Sequence, residues 1–163
     1  MIVRFLVPLT FVAALGCGLV AGAFFAFSSF VMKALGRIQP AQGISAMQSI
    51  NIVVINPVFM LAFLGTAVVC AAVAVSALLA WNRPGAGYLL AGSLLYIAGT
   101  FLVTMVFNVP RNNALAVVDP ASAAGASLWA GYLTGWTAWN HVRTAAALVA
   151  AGLLTIGLRL SAP

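Results

Sequence analysis

Apolar positions run almost unbroken from residue 5 to residue 32, between Arg4 and Lys33, and three more such runs follow along the chain. Residues 52–81 follow a half-polar stretch, residues 86–107 lie between Arg83 and Arg111, and a last run ends at Arg159. A helix needs roughly 20 apolar residues to cross about 30 Å of hydrocarbon, and the first three runs meet that length. The fourth is more informative. Only residues 144–158 separate Arg143 from Arg159, about 23 Å of helix at 1.5 Å per residue, too short to span. The helix must therefore begin before Arg143, and counting back from Leu158 reaches Trp139. That places Asn140, His141 and Arg143 inside or at the edge of the membrane. The expected fold is all-α: one membrane-embedded transmembrane domain over residues 1–163, an up-down four-helix bundle with spans at about 3–32, 52–81, 86–107 and 137–159.

The connections are punctuated by breakers. Asn82-Arg83-Pro84-Gly85 reads as a short turn joining the second and third spans. In loop 1, Pro40 suits a first helical position, and Ile44, Met47 and Ile50 recur at spacing three among polar residues, which predicts a short interfacial helix. In loop 3, Asp119-Pro120 reads as an N-cap followed by Pro at the first helical position, so one or two short helices are expected there. Trp129, Tyr132, Trp136 and Trp139 form an aromatic belt ahead of the fourth span. Arg4 followed by an apolar run and Ala14-Leu15-Gly16-Cys17 has some features of a secretory or lipoprotein signal, but apolar sequence continues to Phe30 with no polar linker, which favours a spanning helix. Cys17 and Cys70 both fall inside spans and are expected to pack as small hydrophobes.

Composition narrows the function classes. Hydrophobic residues make up 64% of the chain against 5% charged, and the formal charge of +6 comes from seven Lys/Arg and one acid. These cations are scattered, so no basic stripe exists to neutralise phosphates and a nucleic-acid partner is excluded. A single acidic residue, Asp119, removes mechanisms that need two carboxylates from one chain. One His, two Cys and one Asp do not make a protein-built zinc site, and no metal ligands are assigned.

In an up-down bundle the polar residues gather at one end. Gln48, Asn51 and Asn56 flank the second span, Asn108, Arg111, Asn112 and Asn113 follow the third, and Asn140, His141 and Arg143 open the fourth. Burying an unpaired amide near hydrocarbon costs roughly 1–3 kcal/mol, so this concentration needs a cause. Capping is one: Asn56 before Pro57 suits an N-cap, and Asn108 before Val109-Pro110 suits a helix break. The fourth span gives a sharper pattern, because Trp136, Trp139, Asn140, Arg143 and Thr144 share one face at spacings of three and four. Arg143 either snorkels to the headgroups or points inward to acceptors or an anionic ligand.

Asn108-Val109-Pro110-Arg111-Asn112-Asn113, followed by Trp136-Thr137-Ala138-Trp139-Asn140-His141-Val142-Arg143-Thr144, resembles the paired signature of the anthrone-oxygenase-like integral membrane proteins. The likeness extends to the first helix with Gly18 and Gly22 and to the Asn56-Pro57 step. It implies oxidation of planar phenolic or anthrone-type substrates by dioxygen, with no tightly bound metal or flavin. An anthrone is a flat carbon acid whose enolate is electron-rich, so its site must bury an aromatic body, accept a proton and stabilise an oxyanion. On that reading His141, Arg143 and Arg111 are the expected catalytic residues. His141 is of the one residue type that ordinarily exchanges protons near neutral pH. Asn108, Asn112, Asn140, Trp136, Trp139 and Asn56 are the expected substrate-binding residues. No cofactor is expected, since no dinucleotide or haem-attachment motif occurs.

Two other readings stand beside this one. A non-enzymatic membrane protein would bind a quinone, a lipid or a partner helix in the same pocket, and Gly18 and Gly22 permit close helix approach within the chain or in a homo-oligomer. Met32, Met47, Met60 and Met105 with His141 would suit copper. The expected partners are the lipid bilayer and a small aromatic or lipophilic ligand, and the expected location is the bacterial inner (plasma) membrane, crossed several times. The loop cations are nearly balanced across the membrane, with a weak preference for cytoplasmic termini.

Overall fold

The computed structural model describes the backbone of residues 2–161 and the side chains of residues 5–161. Four helices are long and apolar enough to cross a membrane: α1 Phe5–Leu35, α3 Pro57–Leu79, α4 Ala86–Ala116 and α5 Ala123–Ser161. A fifth, α2, Pro40–Val53, lies between the first two. In hydrocarbon each backbone N–H and C=O must be paired within the segment, which a helix achieves along its length. The protein is an all-α, multi-pass membrane bundle. Consecutive spans run antiparallel, and around the bundle α1 packs on α5, α5 on α4, α4 on α3 and α3 on α1. Large apolar side chains such as Phe5, Leu19, Phe25, Leu61, Val68 and Leu102 point outward.

The half of the bundle near the α3–α4 turn has a core of small and medium side chains. Ala13, Cys17, Val20, Cys70, Val73, Ala77, Ala147 and Ala150 are buried there. Small residues let the helix axes approach, which favours association where lipid competes for apolar contact. Cys17 and Cys70 are free thiols 3.9 Å apart between α1 and α3, and both are fully buried. The turn itself depends on Gly85, at φ +85°, whose missing side chain leaves room for the carbonyl of Gly157. A residue with a Cβ would be strained there on both counts.

The opposite half differs from the sequence reading in several boundaries. The helix that carries the last span starts at Ala123, ahead of the 137 expected for the span, and at 1.5 Å per residue it is about 58 Å long, nearly twice the hydrocarbon thickness. Its N-terminal turns carry Trp129, Tyr132 and Trp136, a ladder of stacked rings with centroids 5.5 and 6.1 Å apart. The short helix expected in loop 1 exists and starts at Pro40, but it docks on this ladder. Gly43 lies directly against Trp129, and Ile44 and Met47 are fully buried. Gln48 Nε2 donates to the carbonyls of Leu115 and Val118, which ties α2 to the end of α4.

In loop 3, Val109–Ala116 continues α4 instead of standing apart. Val109 keeps helical angles despite the following Pro, because the preceding turn is π-helical and Asn108, which caps nothing, reaches across to α5. Asp119 does not cap α5. Its Oδ1 accepts from the N–H of Ala121 in a local turn, and Ser122 Oγ accepts from the N–H of Gly125 at the helix start.

Candidate functional site: a cationic cavity beneath α2

The spacing that put Trp136, Asn140 and Arg143 on one face of α5 turns that face inward. Arg143 is only 3% exposed. Its Nη2 donates to Asn140 Oδ1 at 2.6 Å and its Nη1 to Thr104 Oγ1 at 3.2 Å. The guanidinium lies between two rings, its Cζ 4.1 Å from the Phe24 centroid and 5.0 Å from that of Trp136. Neither hydrogen-bond partner is a carboxylate, and Nε is buried with no partner. Phe24 in turn packs edge-on against Phe63 at 6.2 Å, which sits about 9 Å along α3 from its start at Pro57. The guanidinium is therefore enclosed by the bundle and does not snorkel.

Asn140 holds it there. Fully buried, its Nδ2 donates to the Phe24 carbonyl and to Ser28 Oγ, both at 2.7 Å, so one amide fastens α1 to α5 and presents its oxygen to Arg143. Asn108, also fully buried, donates from Nδ2 to the Trp136 carbonyl at 3.2 Å and clasps α4 to α5, while its Oδ1 has no partner. Buried polar groups are normally satisfied, and an orphan inside a membrane calls for a specific explanation.

Arg143 faces a cavity of about 410 Å³ enclosed by α1, α2, α3, α4 and α5. Its walls are mainly aromatic and aliphatic: Phe24 and Phe27 from α1, Phe59 and Phe63 from α3, Phe101 from α4 and Trp136 from α5, with Met47 and Ile50 of α2 as a roof. The polar lining is Asn51, Thr104, Asn112 and Arg143. Asn112 Oδ1 accepts from Tyr132 Oη and from Trp136 Nε1, both at 2.8 Å, which fixes the indole against the cavity. Asn51 Nδ2 is buried without a partner. Two residues of the lining, Arg143 and Asn51, thus each keep a buried donor without a partner, Nε and Nδ2.

The helices widen around this space. Phe27–Val31, Leu61–Gly65, Ile97–Leu102 and Thr104–Asn108 are π-helical, and each contributes lining: Phe27, then Phe63 and Leu64, then Phe101, then Thr104 and Met105. Such turns cluster at functional sites because the wider register re-aims side chains. Ile55, Leu64 and Met105 line the cavity yet are 73%, 41% and 47% exposed. All three belong to α3, the segment leading into it, or α4, so the cavity opens sideways between these helices.

Of the residues expected from sequence, Arg143, Trp136 and Asn112 line the cavity, and Asn140 and Asn108 stand behind them. The others do not join. Arg111 turns back to the Phe107 carbonyl and packs on Gly135. Trp139 stacks on Phe107, centroids 3.6 Å apart. Asn56 is an N-cap, accepting from the Phe59 N–H and donating to the Val53 carbonyl. His141, about 100° around α5 from Asn140, is exposed and borders a separate groove. Sequence reasoning missed Phe24, Phe63, Phe101 and Thr104, which sit in uniformly apolar runs, and assigned no ligand role to Asn51. Among the described residues no group of three or more His, Cys, Asp or Glu side chains comes together.

This arrangement defines a polytopic helical membrane protein with an aromatic, cationic cavity that opens between α3 and α4. Residues 59–153, which carry α3, α4 and most of the cavity face of α5, match the model of the anthrone oxygenase family, and the chain belongs to that family. No curated protein and no solved structure matches the chain.

Proposed function

We propose that this protein is a membrane-embedded oxygenase that uses dioxygen on planar phenolic or anthrone-type aromatic substrates held in the α2-roofed cavity. The observation that carries the reading is the buried Arg143 guanidinium, free of any carboxylate and facing an aromatic space. Family membership supports the oxygenase class. The cavity falls within the roughly 300–1,000 Å³ of typical small-molecule pockets.

The chemistry asks little beyond such a site. Loss of one proton from the reactive CH₂ of an anthrone gives an enolate whose oxygen develops negative charge. Arg143, donating into a water-poor cavity, stabilises that charge far more than it could in water. The enolate carbon passes an electron to dioxygen and forms the C–O bond, giving a peroxide. Loss of the second proton with O–O cleavage leaves C=O and water, so CH₂ plus O₂ becomes C=O plus H₂O with no external reductant. The proton leaves to water, since no cavity-lining side chain among the described residues is a carboxylate or imidazole.

That same lack of a base among the lining residues favours the second reading, in which the cavity binds a quinone, a lipid or another lipophilic ligand without turning it over. Oxygen uptake by purified protein supplied with an anthrone separates the two. The enzyme reading expects uptake above the spontaneous rate, falling by about 10²–10³ in Arg143→Ala, the usual scale for losing an oxyanion donor. Uptake at the background rate in wild type and variant alike leaves the binding reading. Activity that tracks copper or haem content would retain the oxygenase class and discard the cofactor-free mechanism. The reading places the protein in a bacterial inner (plasma) membrane, where spanning proteins are helical, in contrast to the barrels of the outer membrane.

A further inference from the structure

A second space, of about 370 Å³, lies on the other side of α5, between it and the end of α1. Its rim carries Lys33, Arg37 and His141, and its wall includes Thr134 and Thr137 beside the apolar Met32 and Leu133. Lys33 and Arg37 are exposed and one turn apart at the end of a spanning helix, where charged residues meet the headgroup layer. Thr137 Oγ1 is buried with no partner. The only acid in the chain, Asp119, is exposed in the turn before α5 and does not border the groove. Two cations and an imidazole thus converge on a groove otherwise lined by Ser28, Thr134, Thr137 and apolar residues.

We infer that this groove binds the phosphate of an anionic phospholipid, with the acyl chains running down the lipid-facing surface of α1 and α5. Basic pockets between spanning helices suit such headgroups, because the cations meet the phosphate where water is depleted. Apolar Met32 and Leu133 suit the glyceryl and upper acyl carbons. The site is separate from the Arg143 cavity and does not depend on the oxygenase reading.

The test uses the full chain in nanodiscs of mixed phosphatidylglycerol and phosphatidylcholine, with native mass spectrometry of the lipids that remain bound. The wild type should retain phosphatidylglycerol over phosphatidylcholine by about 25-fold, the product of two cations each worth about 5-fold near an anionic headgroup. Lys33→Ala with Arg37→Ala should abolish the preference, and the charge-conserving pair Lys33→Arg with Arg37→Lys should keep it, which guards against a misfolded double variant. Arg159→Ala, at the far end of α5, should leave it unchanged. Equal retention of the two lipids by the wild type would overturn the inference, as would a loss in Arg159→Ala as large as in the double variant. Displacement of the lipid by inorganic phosphate at equal concentration would overturn it too, since the groove would then recognise a free anion and not a lipid.

Discussion

Asn140 Oδ1 accepts from Arg143 Nη2 at 2.6 Å, one turn apart on α5, while the other end of the same amide is anchored to the Phe24 carbonyl and Ser28 of α1. The cation is thus aimed by a neutral group. A carboxylate in that position would pair with the guanidinium and occupy it, leaving less of its charge for a ligand oxygen.

Asn140→Asp should therefore cost activity without removing Arg143. In oxygen-uptake assays with an anthrone its kcat should approach that of Arg143→Ala. Arg143→Lys keeps the charge but loses the planar fork that reaches Asn140 and Thr104 together, and a drop of about 10²-fold is expected, on the scale of a misplaced oxyanion donor. Near-wild-type turnover in either variant would remove Arg143 from the chemistry.

His141 is exposed beside the second groove, so His141→Ala should lower kcat by less than about 10-fold, short of the 10²–10⁴ that loss of a general base brings. A pH–rate profile distinguishes the cases. A loss of 10² or more, recovered at high pH, would return the base to His141 and require a rearrangement of α5.

Under the proposed function, the opening between α3 and α4 is the expected way in for a lipophilic substrate. Met105→Trp narrows that opening without touching Arg143. KM for an anthrone should rise by about 10-fold with kcat within about 3-fold, the pattern of impaired binding with an intact transition state. An unchanged KM would mean that the ligand enters beneath α2.

Gly43 brings α2 against Trp129, where an added Cβ would stand 2.9 Å from the indole and 2.9 Å from the Leu35 carbonyl. Gly43→Ala should destabilise the fold by about 1–3 kcal/mol, the usual cost of overpacking. Thermal unfolding in detergent measures it, and an unchanged Tm would show that α2 is not held by this contact.

Topology is open to a direct measurement. Reporter fusions after Arg37, Gly85 and Asp119 should give the same side for the first and third and the opposite side for the second. Any other pattern would break the shared polar end at which α2 and the cavity lie.

The four spans, their antiparallel order and the polar end are readable from the chain, because they follow from run length against bilayer thickness and from where charges interrupt hydrocarbon. The face of α5 carrying Trp136, Asn140 and Arg143 is legible from spacing alone. The remainder depends on packing between helices. Whether Arg143 meets lipid or a cavity depends on how α5 is rotated against α1, and Asn140 fixes that rotation through a carbonyl and a hydroxyl distant in sequence. His141 parted from the site for the same reason, since a 100° step along a helix carries it from the cavity to the opposite groove. Phe24, Phe63 and Phe101 could not be singled out, because in a chain surrounded by lipid an apolar residue facing hydrocarbon and one facing a ligand look alike. The cavity itself arises where three helices adopt π-helical turns and α2 closes over them, a widening set by packing between helices and not by any local sequence pattern.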